Sequence, residues 1–275
     1  MPSIRPAYGR PVVPAFRAAL RLVRPGLAAA LLVAATFAPA LAKTAEEWLT
    51  EGEQQYAKPD LVQARASFAA AVQAAPANAH ALCRLARAES ELGELQKGNE
   101  QRMTWAAAVE HARTAVRAAP ETAEPHVRLA VALGRQALRE GPKAKLALSR
   151  EIKAEVDRAL ALDPEHPSAW HVLAVWNEKL ASLNAFERMA ANVVLGGVPK
   201  GASFENAERA FKKAIALAPD DVNHRLAYGE LLREMHRPAD ARRELEKAVS
   251  LPPTSSAIDA RYQAEAREVL AKLPK

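Results

Sequence analysis

From residue 43 onward, apolar and polar positions alternate with the period of amphipathic helices, and these helices end in the same way five times. The endings are AVQAAP, AVRAAP, ALALDP, AIALAP and AVSLPP, whose last prolines are residues 76, 120, 164, 219 and 253. A proline just past a helix cannot continue it and turns the chain. Repetition on this scale predicts a solenoid of helix pairs, in which each pair buries its apolar face by stacking on its neighbours.

The residues between these prolines resemble the tetratricopeptide repeat, a unit of about 34 residues with an aromatic residue, small residues and a final proline at set positions. The first unit carries Trp48, Gly52, Ala64, Phe68 and Ala71; the fourth carries Trp170, Leu173, Ala174, Ala207, Phe211 and Ala214; the fifth carries Tyr228, Gly229, Ala241, Leu245 and Ala248. The resemblance implies an all-α, right-handed superhelix of five helix pairs. The units are expected at 45–78, 79–122, 123–166, 167–221 and 222–255, with a capping helix at 256–272, all within a domain spanning 43–275. Trp48, Trp170 and Phe211 are expected to be structural.

Three of the units are longer than that standard length. The prolines at positions 76, 120, 164 and 219 are spaced too widely, by about ten positions in the second and third units and about twenty in the fourth. The extra positions are expected to lengthen both helices of the second and third pairs. In the fourth unit, the apolar residues Phe186, Met189, Val193 and Val194 recur at helical spacing, and GGVPKGAS then interrupts the pattern. We expect a third helix and a loop inserted in this unit, with Ser203 capping the next helix; the apolar stripe serves internal packing or, alternatively, forms an exposed patch for a partner.

The irregular units carry a second resemblance. The stretches LCRLARAESELG, HVRLAVALG, EIKAEVDRALALDPEHPSAWHVLAVW and FERMAANVVLGGVPKGASFENAERAFKKAIALAP are similar to the regulator of microtubule dynamics family, over about residues 82–270. This resemblance implies a helical-repeat adaptor with no catalytic residues. Its eukaryotic members associate with microtubules and organelle membranes, whereas the leader of this chain is typical of a bacterial, exported relative.

That leader, residues 1–42, differs from the remainder of the chain. It contains five arginines and no acidic residue, followed by the apolar run GLAAALLVAATFAPALA. A basic segment, a short apolar segment and a small-x-small ending predict a secretory signal peptide. We therefore expect residues 1–42 to be removed and the protein to be exported, in a bacterium to the periplasm. An uncleaved leader that anchors the chain to a membrane is the alternative, and membrane association is expected only in that case.

The leader also changes the meaning of the charge. The whole chain has a net charge of +6, but without the five leader arginines it has 33 basic and 32 acidic residues. A nearly neutral domain lacks the concentrated basic surface that nucleic-acid binding requires, so no nucleic acid is expected as a partner. With 49% hydrophobic and 25% charged residues, the chain has the composition of a folded protein with a large core.

The sequence contains no motif that predicts catalysis or a cofactor. None of the seven histidines lies in an HExxH motif, and the single cysteine, Cys83, has no partner for a disulfide or a zinc site. Cys83 falls between leucines on an apolar helix face and is expected to be a buried, inert thiol. We expect no enzyme activity, no metal and no cofactor. An enzyme or small-ligand carrier with a pocket beneath residues 186–195 is kept as an alternative function.

The expected function is protein binding in the concave groove that the first helix of each pair lines. Counting along the repeat places seven residues at or beside that groove: Arg84, Arg87, Arg128, Arg135, His171, Trp176 and Lys179. If the arginines are free, the groove is locally basic and suits an acidic or C-terminal peptide. If they pair with neighbouring acidic residues such as Glu91 and Glu124, they form an ordinary solvent-exposed surface and not a binding site. A cytoskeleton- or membrane-associated adaptor is the second function class.

Overall fold

Helices make up nearly all of the described chain, and no β-strand occurs among the described residues. The computed structural model describes residues 43–58, 60–185, 187–189, 197, 199–252 and 258–274. We call the first helix of each pair A and the second B. The A helices are α1 (Ala45–Ala57), α3 (Ala79–Leu95), α5 (Ala123–Ala137), α7 (Pro167–Ala181) and α9 (Val222–Glu234). The B helices are α2 (Leu61–Ala74), α4 (Gly98–Ala118), α6 (Pro142–Leu162), α8 (Phe204–Leu217) and α10 (Pro238–Ser250), and α11 (Asp259–Ala271) follows them.

The helix ends follow from the sequence signals. Thr44 and Glu47 form a reciprocal capping box at the start of α1, with the Thr44 N–H donating to Glu47 Oε2 at 2.7 Å. Ser203 accepts the N–H of Asn206 at 3.1 Å, so the predicted cap of α8 is confirmed. The first four B helices each end two residues before one of the repeated prolines, as that pattern predicts. The fifth B helix ends at Ser250, and the proline at position 253 lies outside the described residues.

The extra residues of the second and third units lie mainly in their B helices. Helices α4 and α6 each have 21 residues, whereas α2 has 14. The A helices gain less, because α3 has 17 residues and α5 has 15, against 13 in α1. The expected lengthening of both helices is therefore correct in direction but unequal. Each long B helix gains about two turns at 3.6 residues per turn.

In the fourth unit, the described residues include only the beginning of the expected inserted helix. Asn184 Oδ1 accepts the N–H of Glu187 at 2.9 Å, and Asn184 N donates to Glu187 Oε2 at 3.0 Å. This pair forms a capping box, and the helix starts at Ala185. Residues 186, 190–196 and 198 lie outside the described part of the chain, as does the leader.

Small residues allow the helices of a pair to pack closely, and large residues fill the space between pairs. Ala64, Ala71, Phe68 and Phe211 are fully buried. Gly52 of α1 packs directly against Phe68 of α2, because a Cβ atom on Gly52 would lie 2.4 Å from Phe68 Cε1. The aromatic and small positions that resemble the tetratricopeptide repeat therefore form the contacts within and between pairs.

Replacing Gly52 with alanine is expected to lower the free energy of unfolding by about 1–3 kcal/mol, because the added methyl group meets a fully buried ring that has no room to move. Urea denaturation followed by circular dichroism would measure this loss.

Gly134 provides the matched control, since it also lies inside an A helix but a Cβ atom there has no neighbour within 4 Å. Gly134→Ala should raise stability by about 0.5–1 kcal/mol through helix propensity alone. Equal effects of the two substitutions would contradict the tight contact between Gly52 and Phe68.

Candidate functional site

The A helices form the concave side of the solenoid. Within the described ranges, consecutive A helices contact one another along the whole array, whereas consecutive B helices make no such contact. The side on which neighbouring pairs come closest is the inner side of the curve. We call this A-helix surface the groove, and it is where the sequence placed the candidate binding residues.

The first two groove arginines are paired with carboxylates and stacked on an aromatic ring. The Arg84 Nη2 donates to Glu53 Oε2 at 2.5 Å, and Arg87 Nε donates to Glu91 Oε1 at 3.0 Å. Both guanidinium carbons lie over the Tyr56 ring, at 4.9 and 5.0 Å from its centroid. These contacts fix the two side chains and leave little net charge at this end of the groove.

Arg128 is also paired with a carboxylate. Its Nε donates to Glu124 Oε1 at 2.7 Å, and His166 Nε2 lies 2.9 Å from the other oxygen of that carboxylate. Burial by itself would raise the pKa of Glu124, but Arg128 and His166 hold that pKa far below its ordinary value of 4.5. Glu124 is therefore a firmly ionised partner for Arg128.

The fourth arginine takes part in a polar contact that crosses the groove. Arg135 of α5 lies 2.5 Å from Glu94 Oε1 of α3, and its Nη2 donates to the hydroxyl oxygen of Tyr262 at 3.3 Å. The Tyr262 hydroxyl, on α11, donates in turn to Glu94 Oε1 at 3.1 Å, and Arg261 donates to the Glu94 backbone carbonyl. We call Glu94, Arg135, Arg261 and Tyr262 the cross-groove bridge. Burial raises the pKa of Glu94 despite the two neighbouring guanidinium groups.

The groove is therefore not locally basic. All four arginines are matched by carboxylates in the described structure, which supports the interpretation of a paired surface and corrects the expectation of free positive charge. Lys179 is exposed but pairs with Glu178 at 2.8 Å. Beyond it, helices α7, α9 and α11 bring four carboxylates close together, with Lys179 and Arg233 among them; we call these carboxylates the acidic end: Glu178, Glu230, Glu234 and Glu265.

Burial and neighbouring carboxylates raise the pKa values of two glutamates at the acidic end. Burial raises the pKa of Glu178, with Lys179 acting against it and Glu234 adding to it. Burial also raises the pKa of Glu230, and the neighbouring charge of Glu265 adds to the shift. A cation brought to these carboxylates would relieve their mutual repulsion.

The other two predicted groove residues are placed differently. Trp176 is buried and its Nε1 donates to the Ser149 carbonyl of α6 at 2.8 Å, so its ring packs between α6 and α7 and away from the groove. The His171 ring stacks on His224, with centroids 4.8 Å apart, and meets Phe211 edge-on at 5.6 Å. Both residues contribute to packing between repeats.

Three of the four residues of the predicted apolar stripe, Phe186, Val193 and Val194, lie outside the described residues. The fourth, Met189, is 58% exposed.

Cys83 is buried, and burial raises its pKa to about 12, as expected for an unreactive thiol. Among the described residues, no three histidine, cysteine or acidic side chains converge on a position that suits a metal ion. None of the described helices has both the length and the apolar character needed to span a bilayer.

Sequence comparison identifies what this chain is similar to. The family model described as "Regulator of microtubule dynamics protein 1-3" matches residues 41–274. Regulator of microtubule dynamics protein 3 of Bos taurus is 30% identical over 190 residues, which are 68% of this chain and 40% of that protein. Regulator of microtubule dynamics protein 1 of Bos taurus is 27% identical over 196 residues, 70% of this chain and 61% of that protein. The chain thus spans less than two thirds of these relatives.

Structure comparison agrees on the fold. The crystal structure of a thermophilic tetratricopeptide-repeat protein from Thermus thermophilus matches with a TM-score of 0.59 and 22% identity. The match covers 80% of this chain and 98% of the other. The α–α solenoid that the repeat pattern predicted is therefore confirmed.

Proposed function

Because the chain belongs to the regulator of microtubule dynamics 1–3 family, we propose that it is a non-catalytic scaffold that binds a segment of a partner protein in its groove. The observation that carries this proposal is the groove itself. It is formed by α1, α3, α5, α7, α9 and α11 and is spanned at one place by the cross-groove bridge. Charged side chains held in fixed positions by ion pairs and aromatic contacts line it. Preorganised side chains lose little further entropy when a partner binds.

The charge distribution favours a partner segment with basic residues. An acidic segment would have to displace carboxylates from four arginines and would meet the repulsion of the acidic end. A basic segment leaves those four ion pairs intact and adds positive charge where Glu178, Glu230 and Glu234 share Lys179. We therefore propose that the basic part of the partner lies against α7, α9 and α11.

The family resemblance supports a second candidate, an adaptor associated with the cytoskeleton or with a membrane. The two relatives from Bos taurus are named for the regulation of microtubule dynamics. For this chain we propose export directed by residues 1–42, and an adaptor held at a membrane would require that leader to remain uncleaved. Sequencing the N-terminus of the protein recovered from its own host distinguishes the two.

The groove proposal is tested by crosslinking the full-length chain in its own host and mapping the crosslinked residues by mass spectrometry. In the variant Glu230→Lys with Glu234→Lys, two carboxylates of the acidic end become cations. Partner recovery is expected to fall about tenfold, because like charges brought together across an interface cost several kcal/mol.

The matched control reverses two exposed glutamates on B helices, Glu110→Lys and Glu246→Lys, which change the net charge by the same amount. This control should recover partners as well as the original chain does. Equal recovery by all three proteins would overturn groove binding, and equal loss in both variants would show that the attraction depends only on net charge.

A further inference from the structure

A second concavity lies on the opposite side of the solenoid from the groove. It is a cleft of about 680 Å³ between the B helices α6 and α8, with the A helix α7 beneath them. Its floor is apolar and is formed by Trp170, Leu173, Trp176 and Ala210. Ligand pockets in proteins commonly have volumes of about 300–1,000 Å³ and mostly apolar linings. This cleft is therefore of a size and character to hold a small molecule.

The two tryptophans of the floor are held in fixed orientations. The Trp176 Nε1 donates to the Ser149 carbonyl at 2.8 Å, and the Trp170 Nε1 donates to the Pro164 carbonyl, also at 2.8 Å. Because both indole N–H groups are already satisfied, the two tryptophans present only ring carbon surface to a ligand. The floor thus offers stacking and dispersion contacts to an apolar or aromatic group.

The rim of the cleft is cationic. Four side chains from three separate segments surround the apolar floor: Lys153 of α6, Lys200 from the chain before α8, and Arg209 and Lys213 of α8. Lys153 pairs with Asp157 at 2.7 Å and lies 5.4 Å from the centroid of the Trp176 ring. The rim therefore places positive charge directly beside an aromatic surface.

Most of this charge is not neutralised. Within the described part of the chain, Lys200 and Lys213 make no ion pair, and Arg209 hydrogen-bonds only to the amide oxygen of Asn206. Glu205, one turn before Arg209, is the carboxylate close enough to interact with that guanidinium. Four cations thus face two carboxylates, in contrast to the groove, where each arginine has its own.

We propose that this cleft binds a small organic anion, with an aromatic or other planar apolar part against Trp170 and Trp176. Its carboxylate, sulfonate or phosphate group would lie among Lys200, Arg209 and Lys213. Such a ligand gains apolar burial on the floor and charge-assisted hydrogen bonds at the rim. The proposal is independent of the protein-binding groove, which involves the other face of the same repeats.

The test uses a pair of fluorescent probes that differ in one charged group. 8-Anilinonaphthalene-1-sulfonate carries the anion, and N-phenyl-1-naphthylamine is its uncharged counterpart. Titrated into the full-length chain, the sulfonate is expected to show a saturable site whose affinity falls as salt is added, since the rim charges are exposed. The neutral probe is expected to bind the same site at least about tenfold more weakly, because it lacks the charge-assisted contacts.

Two variants locate the site. Lys200→Glu with Lys213→Glu should weaken sulfonate binding by about tenfold or more, since two attractive charges become repulsive. The control, Lys58→Glu with Lys97→Glu, makes the same net change at exposed lysines outside the cleft and should bind like the original chain. Probe bound elsewhere contributes equally to all three proteins, and circular dichroism verifies that each is folded. Equal sulfonate affinity in the two variants, or equal affinity for the two probes, would overturn the proposal.

Discussion

Replacing Phe211 with alanine is expected to lower the free energy of unfolding by about 3–5 kcal/mol, the loss typical of a buried aromatic residue in a well-packed core. Phe211 is fully buried. Its ring meets His171 of α7 edge-on at 5.6 Å and lies 6.0 Å from the Tyr228 ring of α9. The side chain therefore joins the fourth helix pair internally and also connects it to the fifth. In a solenoid, each pair is stabilised by its neighbours, so losing this contact weakens both.

Urea denaturation followed by circular dichroism would measure the loss. Phe211→Leu keeps most of the apolar volume and should lose clearly less than the alanine variant. Met189→Ala removes a side chain that is 58% exposed and should change stability by less than about 0.5 kcal/mol. If Phe211→Ala were no more destabilising than Met189→Ala, Phe211 would not have the structural role that the repeat pattern assigns to it.

The sequence predicted the fold well because local signals determine it. Prolines past the B helices, capping residues such as Ser203, and small residues opposite Phe68 and Phe211 each act within one helix pair. These signals recur with each unit, so they also predict how the pairs stack. The uneven lengthening of the long pairs was less predictable, since residues near the turn between two helices can extend either one.

The candidate groove was predicted less well, because its properties depend on distant residues. Arg135 and Tyr262 are 127 positions apart, and the distance between them depends on the curvature of the whole array. Counting along a repeat also locates a side chain only to within about one residue, and one residue turns an α-helix by about 100°. That uncertainty explains Trp176, which was expected beside the groove and packs against α6 instead.

The repeat pattern also could not predict the charge balance of the groove. The sequence shows that acids and bases are nearly equal in number outside the leader, but not which of them meet. Arg84 pairs with Glu53 of the preceding A helix, and Arg135 with Glu94, also of the preceding A helix. Pairs between neighbouring helices depend on the rotation of each helix about its axis, which the apolar stripe fixes only roughly.

Acidification below pH 6.5 is expected to destabilise the fold through two stacked histidines, His171 and His224. His171 and His224 stack with their ring centroids 4.8 Å apart, and the Nδ1 atom of each is buried without a hydrogen-bond partner in the described structure. Burial lowers the pKa of His171 well below its ordinary 6.5, and the neighbouring His224 and Arg135 add to the shift. Burial also lowers the pKa of His224, although Asp221 acts in the opposite direction.

The direction of the effect follows from these lowered pKa values. The unfolded chain takes up protons at both histidines below about pH 6.5, whereas the folded chain takes them up only at lower pH. The contribution to stability is therefore fully present above pH 6.5 and is lost as the pH falls below it. Each proton bound only by the unfolded chain reduces the free energy of unfolding by about 1.4 kcal/mol per pH unit.

Measuring the unfolding free energy from pH 7.5 to pH 5 in urea would test this prediction. The raised pKa values of Glu94, Glu178 and Glu230 have the opposite effect, because the folded chain holds those protons more tightly. The comparison must therefore be between variants. His171→Phe with His224→Phe should flatten the histidine-dependent part of the slope, and His80→Gln, at an exposed position, should leave it unchanged. An unaltered slope in the double variant would refute the prediction.

The single variants should differ, because the surroundings of the two rings differ. Asp221 Oδ2 lies 3.8 Å from His224 Nε2 and partly compensates a charge there, whereas the charged group acting on His171 is the guanidinium of Arg135 on the neighbouring helix α5. Protonating His171 therefore places a cation near another cation and against a stacked ring. We expect His171→Phe to remove more of the pH dependence than His224→Phe does. The opposite order would mean that the Asp221 carboxylate does not stabilise the charged form of His224.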